Sequence, residues 1–175
     1  MGKKYYPFIL TALLIAADQM TKLLVIKTIP LRQIGWAVGG DFFRIIHVRN
    51  LGVGFSIGTN LPDSIKMVLF IALPLVLLIW LGVLIVRTNE FTPFQRWLCA
   101  GIIGGGLGNQ IDRIFRPGGV VDFLDVKFYG LFGMERWPTF NIADASVVVC
   151  GILMFISIII SEVQLKQLKK ESTNE

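Results

Sequence analysis

Two aspartates stand out for the company they keep. Asp122 falls in Gly118-Gly119-Val120-Val121-Asp122-Phe123, and Asp144 in Phe140-Asn141-Ile142-Ala143-Asp144-Ala145; each adjoins a hydrophobic run long enough to enter a membrane. A carboxylate at a bilayer edge gives up part of its hydration, so it needs a partner or a task. Two carboxyl groups brought together cannot both ionise readily. They share a proton and can activate a water between them, which is the chemistry of an aspartic protease. Taken singly, either aspartate also reads as a helix cap or an ion-pair member. Asp144 follows the possible cap Asn141, at a helix start where negative charge is favoured. Asp125 competes with Asp122 for the same role but lacks the glycine-valine lead-in.

Other polar residues sit where a purely structural apolar chain has no use for them. Asp18 and Lys22 are four apart, hence on one helix face, either as an internal ion pair or with Lys22 pointing into a shared site. Asn50-Leu51-Gly52-Val53-Gly54-Phe55-Ser56 has glycines that permit a tight turn and an amide, Asn50, that both donates and accepts. It reads as a loop returning to the interface or as a turn that holds a peptide. Gly101/Gly105 and Gly104/Gly108 form overlapping small-xxx-small spacings, which let helices approach closely in lipid and bring Asn109 and Arg113 against neighbouring spans. Arg113, adjacent to Asp112 but on another side of the helix, is expected to pair elsewhere, one of the two key aspartates being a candidate.

These residues must be positioned by membrane-spanning helices. The 175-residue chain is 54% hydrophobic and only 17% charged, with a mean hydropathy of +0.66. Soluble domains are about 45–50% apolar and about 25% charged. A span needs about 20 mostly apolar residues, and four segments approach this: residues 8–25, 65–86, 97–114 and 141–160. The expected fold is an all-α membrane protein of one domain, residues 1–175, with four transmembrane helices, a small extracytoplasmic β-rich subdomain and an interfacial loop. The β-prone run Asp41–Val48 supplies a short strand pair, and Asp122 falls in the outer loop past the third span. Lys3 and Lys4 precede the first apolar run as in a signal peptide, but the run continues into Asp18 and Lys22 without a small-x-small end, so it reads as a retained helix. Lysine and arginine are denser in the tails and in the 87–96 loop than in the two longer loops, which places both termini in the cytoplasm and the 26–64 and 115–139 loops outside.

Several function classes drop out. One histidine, His47, and no Cys-x-x-Cys pair argue against a zinc site, and two scattered aspartates make a poor cage for magnesium or calcium, so no metal is expected. Cys99 and Cys150 lie in apolar runs and behave as small hydrophobes. Nucleic acid is not an expected partner. A transporter or proton channel relaying charge through Asp18, Lys22, Asp112 and Arg113 is the alternative reading, and an assembly subunit glued by polar contacts is a third.

Five motifs together carry a family resemblance: Asp18-x-x-Thr21-Lys22, Asn50-x-Gly52-x-x-Phe55-Ser56, Gly105-Gly106-x-Gly108-Asn109-x-x-Asp112-Arg113, Gly118-x-Val120-x-Asp122-Phe123 and Phe140-Asn141-x-Ala143-Asp144. Over almost its whole length the chain resembles the bacterial lipoprotein signal peptidases (signal peptidase II). The resemblance implies a cofactor-free aspartic endopeptidase of the bacterial plasma membrane. Such an enzyme removes the signal peptide of a prolipoprotein, cutting before a cysteine that already carries diacylglycerol, at the extracytoplasmic face. It implies Asp122 and Asp144 as the catalytic pair. Asp18, Lys22, Asn50, Gly52, Asn109, Arg113, Val120 and Asn141 are implied as supporting or substrate-contacting positions. Its implied partners are prolipoproteins, membrane lipids and the inhibitor globomycin. Two departures are visible: Val53-Gly54 replaces a commonly alanine-rich pair, and the Asp122–Asp144 connection is slightly long.

Overall fold

A computed structural model describes residues 4–52 and 57–173. The order is α1 (Phe8–Thr28), β1 (Ile34–Val38), β2 (Phe43–Asn50), α2 (Asp63–Lys66) running through a π-helical turn (Met67–Ala72) into α3 (Leu73–Arg87), α4 (Pro93–Phe115), β3 (Val120–Val126), a 3-10 turn (Leu131–Gly133) and α5 (Ile142–Thr173). Three helical stretches are long and apolar enough to cross a membrane: Phe8–Thr28, Asp63–Arg87 and Ile142–Gln167, with mean hydropathies of 1.8, 3.0 and 2.5. The expected third span, residues 97–114, lies within α4. That helix has the length of a span, but it carries Arg96, Asn109, Gln110, Asp112 and Arg113 and is less apolar than the other three.

The polar character of α4 follows from its place. It packs on α1, α3 and α5, and its glycines make the close approaches that the small-residue spacing predicts. A Cβ on Gly104 would sit 3.0 Å from Leu14 Cβ and 3.1 Å from the Thr11 backbone, and one on Gly105 would run into the Ala143 carbonyl. Hydroxyl donors complete these seams: Thr11 Oγ1 donates to the Ala100 carbonyl at 2.7 Å and Ser146 Oγ to the Gly101 carbonyl at 2.8 Å. A capping box between Thr92 and Gln95 starts α4, with Pro93 in its first turn.

Above the helices lies a three-stranded antiparallel sheet in the order β1-β2-β3. The expected strand pair is present, but a third strand joins it, and Asp122 lies within β3 rather than in a loop. The pairing Asn50↔Val120 and Val48↔Asp122 joins segments some 70 residues apart, which local pattern does not reveal. Val121 and Phe123 of β3 pack with Val25 and Ile29 at the end of α1, so the sheet is seated directly on the bundle. Gly119, with φ of +85°, is required here: a side chain would collide with the Asn50 backbone carbonyl where β3 begins beside β2.

The remaining boundaries shift for physical reasons. Helix α1 continues past residue 25 because its end supplies the core under the sheet. Helix α5 continues past residue 160 because residues 162–173 are rich in the good helix formers Glu, Gln, Leu and Lys.

Candidate active site

The first turn of α5 arranges one of the two acids. Asn141 precedes it; its Oδ1 accepts from the Asp144 N–H at 2.9 Å, and Asp144 Oδ2 accepts from the Asn141 N–H at 3.1 Å, a reciprocal cap of the kind expected for Asn141. The other acid is set by β3, where backbone pairing with β2 places Asp122 beside Val48.

Three asparagine amides then bring the acids into one network. Asn141 Nδ2 donates to Asp122 Oδ1 at 2.7 Å, so a single residue touches Asp122 with its side chain and Asp144 with its backbone. Asn50 Nδ2 donates to Asp122 Oδ2 at 3.2 Å, and Asn109 Nδ2 donates to Asp144 Oδ1 at 2.8 Å. The amides are themselves oriented: Asn109 Oδ1 accepts from Asn141 Nδ2 at 3.1 Å and from Lys22 Nζ at 3.0 Å, and Asn50 Oδ1 accepts from the Gly52 N–H at 2.9 Å. Asp122 is 3% exposed and Asp144 half-buried. Burial pushes the Asp122 carboxyl up to about 7; the Asp144 charge adds to the rise, while the Asn50 and Asn141 amides and the Lys22 ammonium oppose it. An acid that titrates near neutrality can hold a proton for a carbonyl oxygen and release it within one cycle.

Both acids open onto a cavity of about 580 Å³. Its polar end is Asn50, Asn109, Arg113, Asp122 and Asp144; its apolar lining comes from Val120, from Trp137 to Phe140, and from Ala145 and Val147 to Val149 on α5. Val148 and Val149 are exposed on the outward surface of α5, so the cavity runs from the acids to the exposed apolar face of that helix. Trp137 to Phe140 form a fourth edge along β3, with Trp137 N–H donating to the Val126 carbonyl at 2.9 Å and Phe140 exchanging bonds with Leu124 at 2.8 and 3.0 Å.

Every predicted site residue converges here or directly beneath. Asp18 and Lys22 do form the internal ion pair, at 2.8 Å with both side chains fully buried, and Lys22 also bonds Asp112 at 3.2 Å. Arg113 takes neither aspartate as its hydrogen-bond partner; its guanidinium donates to the Gly52 carbonyl at 3.3 Å and holds the turn after Asn50. Asp125, the competitor to Asp122, lies three residues along the strand and so on the opposite face, bonded by Arg44 at 2.6 Å and Arg136 at 2.8 Å. Phe55 and Ser56 of the second motif, with Val53 and Gly54, lie outside the described residues, as does Lys3. Among the described residues no group of three or more His, Cys, Asp or Glu side chains is placed to hold a metal ion.

Sequence reading missed Gln19, Arg116 and the Trp137–Phe140 wall. Gln19 Nε2 donates to Asp18, to Asp112 and to the Gly108 carbonyl, and Arg116 pairs with Asp112. Gln19 adjoins Asp18 and Arg116 lies one turn past Asp112, so the i,i+4 rule was the available clue for the latter.

Paired acids held by neutral amides, on a cavity lined in part by the apolar helix α5, fit the class of membrane-embedded aspartic peptidases. Known proteins narrow the class. The family model for signal peptidase (SPase) II matches residues 10–160, and the chain belongs to that family. It is 46% identical over 173 residues to the lipoprotein signal peptidase of Treponema pallidum, covering 99% of this chain and 92% of that one. With the lipoprotein signal peptidase of Borreliella burgdorferi it shares 48% over 156 residues, 89% of this chain and 90% of the relative. A solved bacterial membrane enzyme, determined by the in meso method at 2.3 Å, superposes with a TM-score of 0.75 at 28% identity, covering 87% of each chain. A second, at 1.9 Å, gives 0.73 at 29% identity over 90% of this chain and 97% of that one.

Proposed function

We propose that Asp122 and Asp144 form the catalytic pair of an endopeptidase that cuts prolipoproteins before a diacylglyceryl-modified cysteine. The observation that carries this reading is the double contact of the buried Asn141, which binds Asp122 through its amide and Asp144 through its backbone, the two acids lining one cavity. The pair holds one proton at rest. The ionised carboxylate takes a proton from water as the oxygen attacks the scissile carbonyl carbon. The protonated partner donates toward the carbonyl oxygen, and the abstracted proton passes to the leaving cysteine amine as the C–N bond breaks. Asp18, Lys22, Asn50, Gly52, Asn109, Arg113, Val120 and Asn141 support the pair or line the path of the peptide.

The lipid-facing exposure of Val148 and Val149 supports lateral arrival of a substrate whose cysteine is anchored in the bilayer. In this reading α4 is a fourth span sheltered by its neighbours, both termini are cytoplasmic, residues 1–175 form one domain, and the site lies at the extracytoplasmic face of the bacterial plasma membrane. Globomycin occupies the same cavity and blocks turnover. The transporter reading loses support because Asp18, Lys22 and Asp112 satisfy one another in a closed, fully buried cluster rather than lining a path.

The test is cleavage by the purified protein in detergent of a diacylglyceryl prolipopeptide, beside the unlipidated peptide and a globomycin arm, with products read by mass spectrometry. Cleavage before the lipidated cysteine, blocked by globomycin and absent for the unlipidated peptide, is expected. Equal cleavage of both peptides, or cleavage elsewhere, contradicts the assignment.

A further inference from the structure

Beneath the two acids lies a second pair of aspartates, and the two pairs are tied residue by residue. Asp112 Oδ2 accepts the N–H of Val121, the residue immediately before Asp122, at 3.0 Å. Asp18 Oδ1 accepts the N–H of Ala143, the residue immediately before Asp144, at 3.1 Å. Lys22 joins the lower pair, with Nζ 2.8 Å from Asp18 and 3.2 Å from Asp112, and its third bond goes to the amide of Asn109, which itself holds Asp144. All three charged side chains are fully buried, so no solvent competes for these bonds.

We propose that Lys22 is the spacer of the upper pair: by holding Asp18 and Asp112 together it sets the separation of Asp144 and Asp122. It is a positioning residue and touches neither reacting carboxylate. Without its ammonium only the neutral Gln19 amide still spans Asp18 and Asp112, and the strand and helix start that they hold are no longer fixed against one another. Charged neighbours do not substitute for it. Arg116 pairs with Asp112 alone from one turn along α4, Gln19 is a neutral donor, and Arg113 is committed to Gly52. Arg49, on β2, donates to the Gly119 carbonyl.

The inference rests on Asp122 and Asp144 being the catalytic pair, so the test begins with the wild-type pH profile of kcat/KM on the diacylglyceryl prolipopeptide. Coupling between two carboxyls weakens as they separate, so the two limbs of the bell approach one another when the spacer is lost. Lys22→Met is the direct variant. Lys22→Met with Asp18→Asn removes one charge of each sign, keeps an acceptor for Ala143, and serves if the single variant does not accumulate. The expected result in a folded variant is kcat lower by about a hundredfold, the cost of a misplacement near 1 Å, with KM within about twofold. The limbs should also converge. Unmoved limbs with wild-type kcat in the folded double variant, or a loss confined to KM, overturns the spacer while leaving the catalytic pair intact. A wild type that does not cleave overturns both.

Discussion

Two pairs of carboxylates, one bonded to the residues that immediately precede the other, are held in opposite ways. Asp18 and Asp112 are clasped by cations, Lys22 and Arg116, and are fully buried. Asp122 and Asp144 are clasped by the neutral amides of Asn50, Asn109 and Asn141. A cation within bonding distance favours the ionised form and makes the carboxylate a fixed strut. An amide orients the carboxyl without supplying a full charge, and in a desolvated place the acid keeps a proton to give, as Asp122 does with its value near 7. Burial alone therefore does not separate the two pairs; the charge of the partner does. Asp125 makes the same point from the sheet, where Arg44 and Arg136 turn a buried aspartate into a joint.

The comparison breaks most visibly at the upper pair. Asp144→Asn should lower kcat/KM by about a thousandfold or more, since the pair acts as a unit, while the protein still folds and elutes as wild type. Retained turnover would show that the amide-held acids are structural after all. The lower pair should respond in stability: Asp18→Ala leaves Lys22 short of an anion and the Ala143 N–H without its acceptor. Its loss should cost about 3–5 kcal/mol, read as a lower thermal unfolding midpoint in detergent.

Removing one amide sharpens the contrast. The Asn50 bond favours the ionised form of Asp122, so Asn50→Ala should move the alkaline limb of the kcat/KM profile upward from near 7. Activity at neutral pH should fall by about tenfold for the lost orientation. An alkaline limb that moves downward contradicts the role given to that amide. The smallest effect is expected at the sheet: Arg136→Gln loosens the end of the Trp137–Phe140 wall and should raise KM by about fivefold with kcat nearly unchanged.

Much of this arrangement is legible before the structure. Apolar runs announce the helices and single out Asp122 and Asp144 at their edges, and the resemblance carried by the five motifs together points to Asn50, Asn109 and Asn141. The partners are not legible in that way. Gln19 meets Asp112 across 93 residues and Asn50 meets Asp122 across 72, distances at which spacing carries no information. The strand containing Asp122 escaped for the same reason, its partner being β2. The π-helical turn at Met67–Ala72 leaves no mark in an unbroken apolar run. Among the helices, α4 is legible from its glycines and length, and its polar residues find their reason only in what packs around them.

One paired measurement tests the distinction most directly: thermal stability and cleavage of Asp122→Asn beside Asp112→Asn, at pH 5 and pH 8. The folded Asp122 carboxyl titrates near 7, above its ordinary 3.8, so the native state binds this proton more tightly than the unfolded chain. The stability this supplies is complete below the ordinary value and is lost as pH rises through about 7. Asparagine mimics the protonated form, so Asp122→Asn should be inactive and, at pH 8, at least as stable as wild type, with a smaller advantage at pH 5. Asp112→Asn should be less stable than wild type at both. An active Asp122→Asn protein, or one that is destabilised at pH 8 while Asp112→Asn is not, contradicts the account.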